Sequence, residues 1–373
     1  MAQFNMAQST IAQSTTAQFR TLQIIGSKKL GGAESFFVRL HQALNSSGIP
    51  STAVTPAASE LNAALIPPLQ HAPMRSVFDP FSHLALRSLI RREKPDIVQT
   101  WMGRATRLVH LPPGKGPVHV ARLGGFYDPA QYRHAHALVG NTRGICDYLI
   151  RKGVAADKVH FISNFVPEPR DAEQAEVDAL RQSLGLPAEA RVIFALGRLH
   201  ENKGFDTLIY AFEKLPAELD GRPLHLLIAG EGPLRSELDA QVAQSAAASR
   251  IHLPGWQRDA IPSFALADIF VCPSRHEPLG NVILEAWANR VPVVSTRSNG
   301  ALELIEEGRS GLLVDIDQAQ EMADAMQVLL MSTPAEREAL IDAGQQVLKT
   351  SFSQEVIVGA YRELYQQLLA GQR

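Results

Sequence analysis

Cysteine is nearly absent. Cys146 and Cys272 are the only two in 373 residues, too few for a disulfide framework and too far apart for zinc-finger spacing. A reducing, cytoplasmic setting is therefore expected. No apolar run reaches the roughly 20 residues that a bilayer-spanning helix needs. The first residues lack the basic start and apolar stretch of a signal peptide. A Gly-x-Gly-x-x-Gly dinucleotide fingerprint is missing at the first strand-to-helix turn, which reads Gly31-Gly32-Ala33-Glu34.

What is present is an ordinary globular composition, 45% hydrophobic, in a chain long enough to predict two domains. The net charge of -2 hides an asymmetry. Residues 1–166 hold 18 Lys and Arg against 8 Asp and Glu, and residues 167–373 hold 18 against 30. A basic first half suits something anionic, such as a phosphorylated glycolipid, an anionic membrane surface or a nucleic acid. One basic stretch, Leu84 to Lys94, sets Arg87 and Arg91 a helical turn apart. At the start of the chain Ala-Gln recurs at 2–3, 7–8, 12–13 and 17–18. That polar, glutamine-rich segment, 1–20, is expected to be a disordered tail.

The body alternates short β-branched runs with longer helical patterns, which predicts parallel α/β sheets. Strands are expected at 22–26, 52–55, 96–100, 117–122, 137–141 and 159–163 for a first sheet. A second sheet is expected from 192–196, 224–229, 251–253, 269–272, 292–295 and 311–314. The divisions are a first domain 21–166, a proline-containing acidic linker 167–190, a second domain 191–352 and a final amphipathic helix 353–373.

The most informative stretch runs His276-Glu277-Pro278-Leu279-Gly280-Asn281-Val282-Ile283-Leu284-Glu285-Ala286. Gly280 lets backbone approach a ligand, Asn281 suits a helix N-cap, and the helix N-terminus that follows offers free N–H groups to phosphate. Glu277 and Glu285 flank that point. A diphosphate carried between two polyols, as in a nucleotide-sugar, fits such an arrangement. Upstream, a strand ends at Gly197-Arg198 and its loop reaches Lys203-Gly204. Cations placed there can meet the charge of a leaving diphosphate.

Together these segments resemble the retaining glycosyltransferases of family 4. The resemblance implies the GT-B fold: two Rossmann-like, doubly wound α/β domains facing across a cleft, with the last helix packing back on the first domain. It implies that Arg198 and Lys203 hold the diphosphate, Glu277 the donor sugar and Glu285 the ribose, with Arg198, Lys203 and Glu277 as the catalytic set. Gly31, Gly32, Gly230, Leu279, Gly280, Asn281 and Val282 complete the donor site. Many family members carry a His at the end of the strand matching 117–122. Here His119 falls too early, inside the strand, and Arg122, Gly124 and Arg143 are the acceptor-side candidates.

The expected activity is metal-independent transfer of a hexose or N-acetylhexosamine from a nucleotide-sugar co-substrate, with UDP the expected carrier. The acceptor would be a hydroxyl of a bacterial glycan or glycolipid such as lipopolysaccharide. No cofactor and no nucleic-acid partner are expected, and the basic first half suits peripheral contact with the inner face of an anionic membrane. The competing readings are a nucleotide-sugar epimerase of the same fold and a non-catalytic nucleotide-sugar binding protein.

Overall fold

The computed structural model describes residues 19–371 except Leu30 and Lys115. The fold is the expected one, two parallel α/β sheets. Seven strands form the first: β1 (Thr21–Ile25), β2 (Ser51–Thr55), β3 (Leu69–His71), β4 (Ile97–Trp101), β5 (Val118–Leu123), β6 (Ala137–Gly140) and β7 (Val159–Phe161). Their spatial order is β3-β2-β1-β4-β5-β6-β7. The second sheet uses β8 (Arg191–Leu196), β10 (Arg222–Ala229), β11 (Ile251–Gly255), β12 (Ile269–Cys272), β13 (Val293–Thr296) and β14 (Leu312–Val314) in the order β11-β10-β8-β12-β13-β14. The two-residue β9 (Glu218–Leu219) pairs antiparallel with β10. Central strands such as Ile97–Trp101 and Arg191–Leu196 are buried nearly throughout, as strands covered by helices on both faces must be.

Each sheet reverses its winding direction once. In the first, the chain builds outward from β1 through β2 to β3, then crosses to β4 on the other side of β1. In the second it builds from β8 to β11, then crosses to β12. Loops leaving the carboxyl ends of the strands at such a reversal diverge and leave a crevice between them. The loops after β1, β8 and β12 carry Gly31-Gly32, Arg198 with Lys203, and Glu277 respectively.

Strand β3 and the short β9 were not expected from sequence. The segment 167–190 is more than a linker: Gln174–Ser183 is a helix with a capping box, and Val177 and Leu186 sit in the second domain's core. The repeats through residue 18 lie outside the described residues. Phe19, assigned to the same tail, is buried and meets Tyr365 edge to face at 5.9 Å between ring centroids. The last helix, Gln354–Ala370, places Ile357, Val358, Tyr361, Leu364 and Tyr365 in the core of the first domain beside Phe36, Phe37 and Trp101.

His119 is fully buried in β5. Its Nε2 lies 2.9 Å from Thr100 Oγ1, its Nδ1 has no partner among the described residues, and its backbone N–H donates to His136 Nδ1 at 3.0 Å. Burial, with His134, His136 and His110 nearby, pushes its pKa down to about 3. A base whose pKa falls on folding binds its proton more readily in the unfolded chain. Its contribution to stability is therefore complete above about 6.5 and is lost as pH falls toward 3. Between pH 7 and 5 the loss is expected to be about 2 kcal/mol from His119 alone. Urea titrations at the two pH values should show a flatter dependence in His119→Gln. Some slope should persist, because His225 is likewise held down to about 4 by burial, His252 and Arg250.

Candidate functional site

Between the domains lies a cleft of about 1150 Å³. Gly31, Gly32, Ser35 and Arg39 line it from the first domain, and Arg198, Gly230, Trp256 and Glu285 from the second. The second-domain wall is tightly built because the loops press backbone on backbone. Gly230 has φ +149°, and a Cβ there would stand 1.8 Å from the Gly197 carbonyl oxygen. Gly204 has φ +62°, with Pro273 O 2.1 Å from the position of a Cβ. Only glycine fits at either point, so the Arg198–Lys203 loop is seated against the ends of β10 and β12.

The two loops at the reversal of the second sheet meet through Lys203 and Glu277. The ammonium donates to Glu277 Oε2, which also accepts from Ser274 Oγ at 3.4 Å. Burial pulls the Lys203 pKa down, but Glu277, Cys272 and Glu285 outweigh it, and the ammonium is held above its ordinary value. Glu285 is displaced upward by burial, with Glu277 adding to the effect and Arg39 and Lys203 opposing it. Arg39, Glu285, Lys203 and Glu277 thus form one interacting row of alternating charge.

Helix Asn281–Ala288 begins beside this row. Its N-cap is Gly280 at φ +90°, not Asn281 as the sequence suggested. The Asn281 side chain instead reaches the other domain, accepting from Asn164 Nδ2 at 2.8 Å, and its Nδ2 lies 3.9 Å from where a Gly32 Cβ would be. Leu279 is buried behind the turn, and Gly300 N donates to the Glu277 carbonyl at 2.8 Å, bracing the loop from helix Asn299–Leu304. Val282 is half-buried beside the second domain's core.

The cleft therefore gathers Gly31, Gly32, Arg198, Gly230 and Glu285, with Lys203 and Glu277 paired next to Glu285. The acceptor-side candidates are placed elsewhere. Arg122 is only 3% exposed. Its guanidinium lies 4.7 Å from the Phe36 ring and 4.6 Å from the Trp101 ring, donates to Tyr361 at 2.9 Å, and donates to Asn164 Oδ1. Two of its donors are thus spent on the fold, and it is not among the residues that line the cleft. The Arg143 guanidinium stacks on Phe161 at 4.8 Å, away from the cleft lining. Its backbone N–H and that of Gly144 donate to Glu303 of the opposite domain, each at 2.8 Å. Gly124 also lies off the cleft lining and faces Asn141.

Sequence reading passed over Arg39 and Trp256. Arg39 follows Gly32 by seven residues, two helical turns, and so shares its face. Trp256 stands 64% exposed on the cleft wall at the end of β11; a tryptophan directly after a strand-ending glycine was the available signal.

Two facing Rossmann-like domains, with cations, carboxylates and a helix N-terminus gathered at one strand-end crevice, define the GT-B class of glycosyltransferase. Residues 190–332 match the family model described as "Glycosyl transferases group 1", and residues 30–170 match "Glycosyltransferase Family 4". The chain is 36% identical over 341 residues, 90% of its length and 96% of the relative's, to the lipopolysaccharide core biosynthesis glycosyltransferase LpsE of Rhizobium meliloti (strain 1021). It is 29% identical over 350 residues to LpsD of the same organism, covering 91% and 96% of the two chains. Among solved structures, Anabaena Alr3699/HepE in complex with UDP and glucose superposes with a TM-score of 0.78 at 21% identity, covering 94% of this chain and 100% of that one. This chain belongs to the group 1, family 4 glycosyltransferases and is an enzyme of that kind.

Removing Lys203 leaves Glu277 without its cation in a site where both side chains are largely buried. Lys203→Met is expected to cost about 2–4 kcal/mol in chemical denaturation. Lys203→Met with Glu277→Gln should recover most of that loss while binding ligand no better than the single variant. A double variant as unstable as the single would mean that the pair is not the source of the cost.

Proposed function

We propose that the enzyme transfers a hexose or N-acetylhexosamine from a UDP-linked donor to a hydroxyl of a lipopolysaccharide-core type glycolipid, with retention at the anomeric carbon. The observation that carries this reading is the row of charges at the reversal of the second sheet, set beside the N-terminus of helix Asn281–Ala288. It supplies cations for a diphosphate and a carboxylate on either side of it. The acceptor class is supported by the lipopolysaccharide core relatives, and the UDP donor by the ligand of the Anabaena structure.

In this reading Glu285 takes the ribose hydroxyls and Glu277 the hydroxyls of the donor sugar. Arg198, Lys203 and the backbone of Leu279, Gly280, Asn281 and Val282 face the diphosphate, with Gly31, Gly32 and Gly230 giving it room. The acceptor oxygen bonds to the anomeric carbon on the face from which the diphosphate departs. The bond from that carbon to the phosphate oxygen breaks, its electron pair leaving with the diphosphate. The acceptor's proton passes to a phosphate oxygen. Charge builds on the leaving group, and fixed protein cations stabilise it without reorganising at the moment of reaction. No metal is required in this scheme.

Trp256 gives a direct readout, because Trp101 and Trp287 are each only 1% exposed. Titration with UDP and UDP-sugars is expected to change the emission of the exposed tryptophan and to raise the melting temperature, with EDTA making no difference. Glu277→Ala should weaken UDP-sugar binding while leaving UDP unaffected. Equal losses for both ligands would sink that division of roles, and loss of binding in EDTA would sink the metal-free scheme.

The same reading places the enzyme at the inner face of an anionic membrane. Phe78, Phe81 and Leu84 are 83%, 69% and 63% exposed near the start of helix Pro80–Glu93, which also carries Arg87, Arg91 and Arg92. Exposed apolar groups beside arginines suit an anionic interface. Sedimentation with anionic vesicles is expected for the parent chain and is expected to fall in Phe78→Ser/Phe81→Ser. Equal sedimentation of the two proteins would remove this surface from the proposal.

A further inference from the structure

We propose that Arg39 is the first domain's contact to the diphosphate of the donor, closing on it from the wall opposite Arg198 and Lys203. The inference rests on the donor reading above and adds a residue that neither the motifs nor the sequence reading assigned.

Arg39 lies on helix Gly32–Ser46 and shares its cleft-facing side with Gly32 and Ser35. Its Nε is shut away from solvent without a hydrogen-bond partner, and its guanidinium forms no ion pair or hydrogen bond among the described residues. Three arginines at or beyond the domain junction are, by contrast, paired. Arg170 holds Glu176 and Asp259, Arg235 holds Glu231 and Asp239, and Arg275 holds Asp206 and Asp317. A guanidinium with a buried, unbonded Nε and no ion pair is poorly satisfied in the empty protein.

The group opposite it is Glu285. The two interact electrostatically, yet no Arg39 nitrogen comes within 4.0 Å of a Glu285 oxygen. A cation on one wall therefore faces a carboxylate on the other across a gap in the cleft. A nucleoside diphosphate presents the matching pair of groups side by side, ribose hydroxyls that donate to a carboxylate and phosphate oxygens that accept from a guanidinium. With Glu285 on the ribose, Arg39 reaches the adjoining phosphate, and the donor is then held from both domains.

The test is Arg39→Met, which keeps much of the side chain's bulk and removes the charge. Without ligand the variant is expected to melt at or near the parent's temperature, because the cation it loses makes no hydrogen bond or ion pair among the described residues. By calorimetry its affinity for UDP should fall by about tenfold or more, while uridine, which lacks phosphate, should bind as it does to the parent. Arg39→Lys should restore part of the UDP affinity. Two results would overturn the inference. One is UDP bound as tightly by Arg39→Met as by the parent. The other is a clear drop in the unliganded melting temperature with UDP affinity unchanged, which would make Arg39 a structural counter-charge to Glu285. A parent chain that binds neither UDP nor GDP nor ADP would overturn the donor reading itself, and this inference with it.

Discussion

The Arg122 guanidinium, shut away from water between the rings of Phe36 and Trp101, carries hydrogen bonds to the last helix and to the loop that leaves the first sheet. Through Tyr361 it fixes the last helix. Through Asn164 it reaches the strand-end loop that leaves the first sheet, and Asn164 in turn holds Asn281, the first residue of the helix at the donor site. A lysine could not serve in its place. A planar guanidinium spreads its charge, stacks on aromatic faces and points several donors in fixed directions. The position of a helix N-terminus in the second domain is thereby set from the core of the first. Nearby, Tyr365 extends the polar layer by donating to Gln99, and Trp101 donates to Gln23. These groups bond to one another in a core where water is excluded, with Gln99 Nε2 left without a partner among the described residues.

The charges in the cleft follow from topology. Lys203 and Glu277 belong to loops 74 residues apart in sequence, brought together because β8 and β12 are neighbours where the second sheet changes direction. The glycines at 204 and 230 let those loops approach until backbone meets backbone, which holds the cation and the carboxylate to one geometry before any ligand arrives. Such preorganisation is what catalysis of group transfer requires, since the groups that meet the leaving charge need not move to do so. The same arrangement works against stability. Glu285 is kept from ionising as freely as it would in water, and the Arg39 Nε has no hydrogen-bond partner among the described residues. Sites that bind charge well are commonly places where the empty protein is poorly satisfied.

Both sheets were legible in the sequence because buried parallel strands read as short β-branched runs, and because the Gly-Asn turn and the Gly-Arg strand end lie close to the groups they position. Other features were hidden for physical reasons. The helix Gln174–Ser183 sits in a proline-flanked acidic segment whose polar surface resembles a linker, and only Val177 and a few leucines betray its buried side. Phe19 is a lone aromatic after a polar repeat, and nothing local shows that Tyr365, far along the chain, will cover it. Arg122 and Arg143 were read as cleft cations because both lie at or near strand ends. Which way a strand-end side chain turns depends on what the last helix and the opposite domain present to it, and no local pattern encodes that. Arg39 was missed for the converse reason: its helical phase was visible, but an arginine on an amphipathic helix is ordinarily solvated.

The domains touch mainly through polar groups. Glu303 accepts from two backbone N–H groups at the start of helix Arg143–Arg151, Asn164 donates to Asn281, and the His276 ring lies 6.1 Å from Phe126. The apolar cores stay separate, each sheet with its own. An interface of that kind costs little to open, because water can replace each hydrogen bond it loses. The chain passes between domains near Val166–Pro169 and returns near Phe352–Gln354, and the returning helix is anchored in the first core by Tyr361 and Tyr365. With two crossings, a hinge at those points would be a rotation about the line that joins them. Glu303 and Asn164 then act at the contacts that such a rotation would break, while Arg39 and Glu285 face each other across the space that it would widen. A ligand bridging those two walls would oppose the rotation directly, so that filling the cleft and closing it become one event.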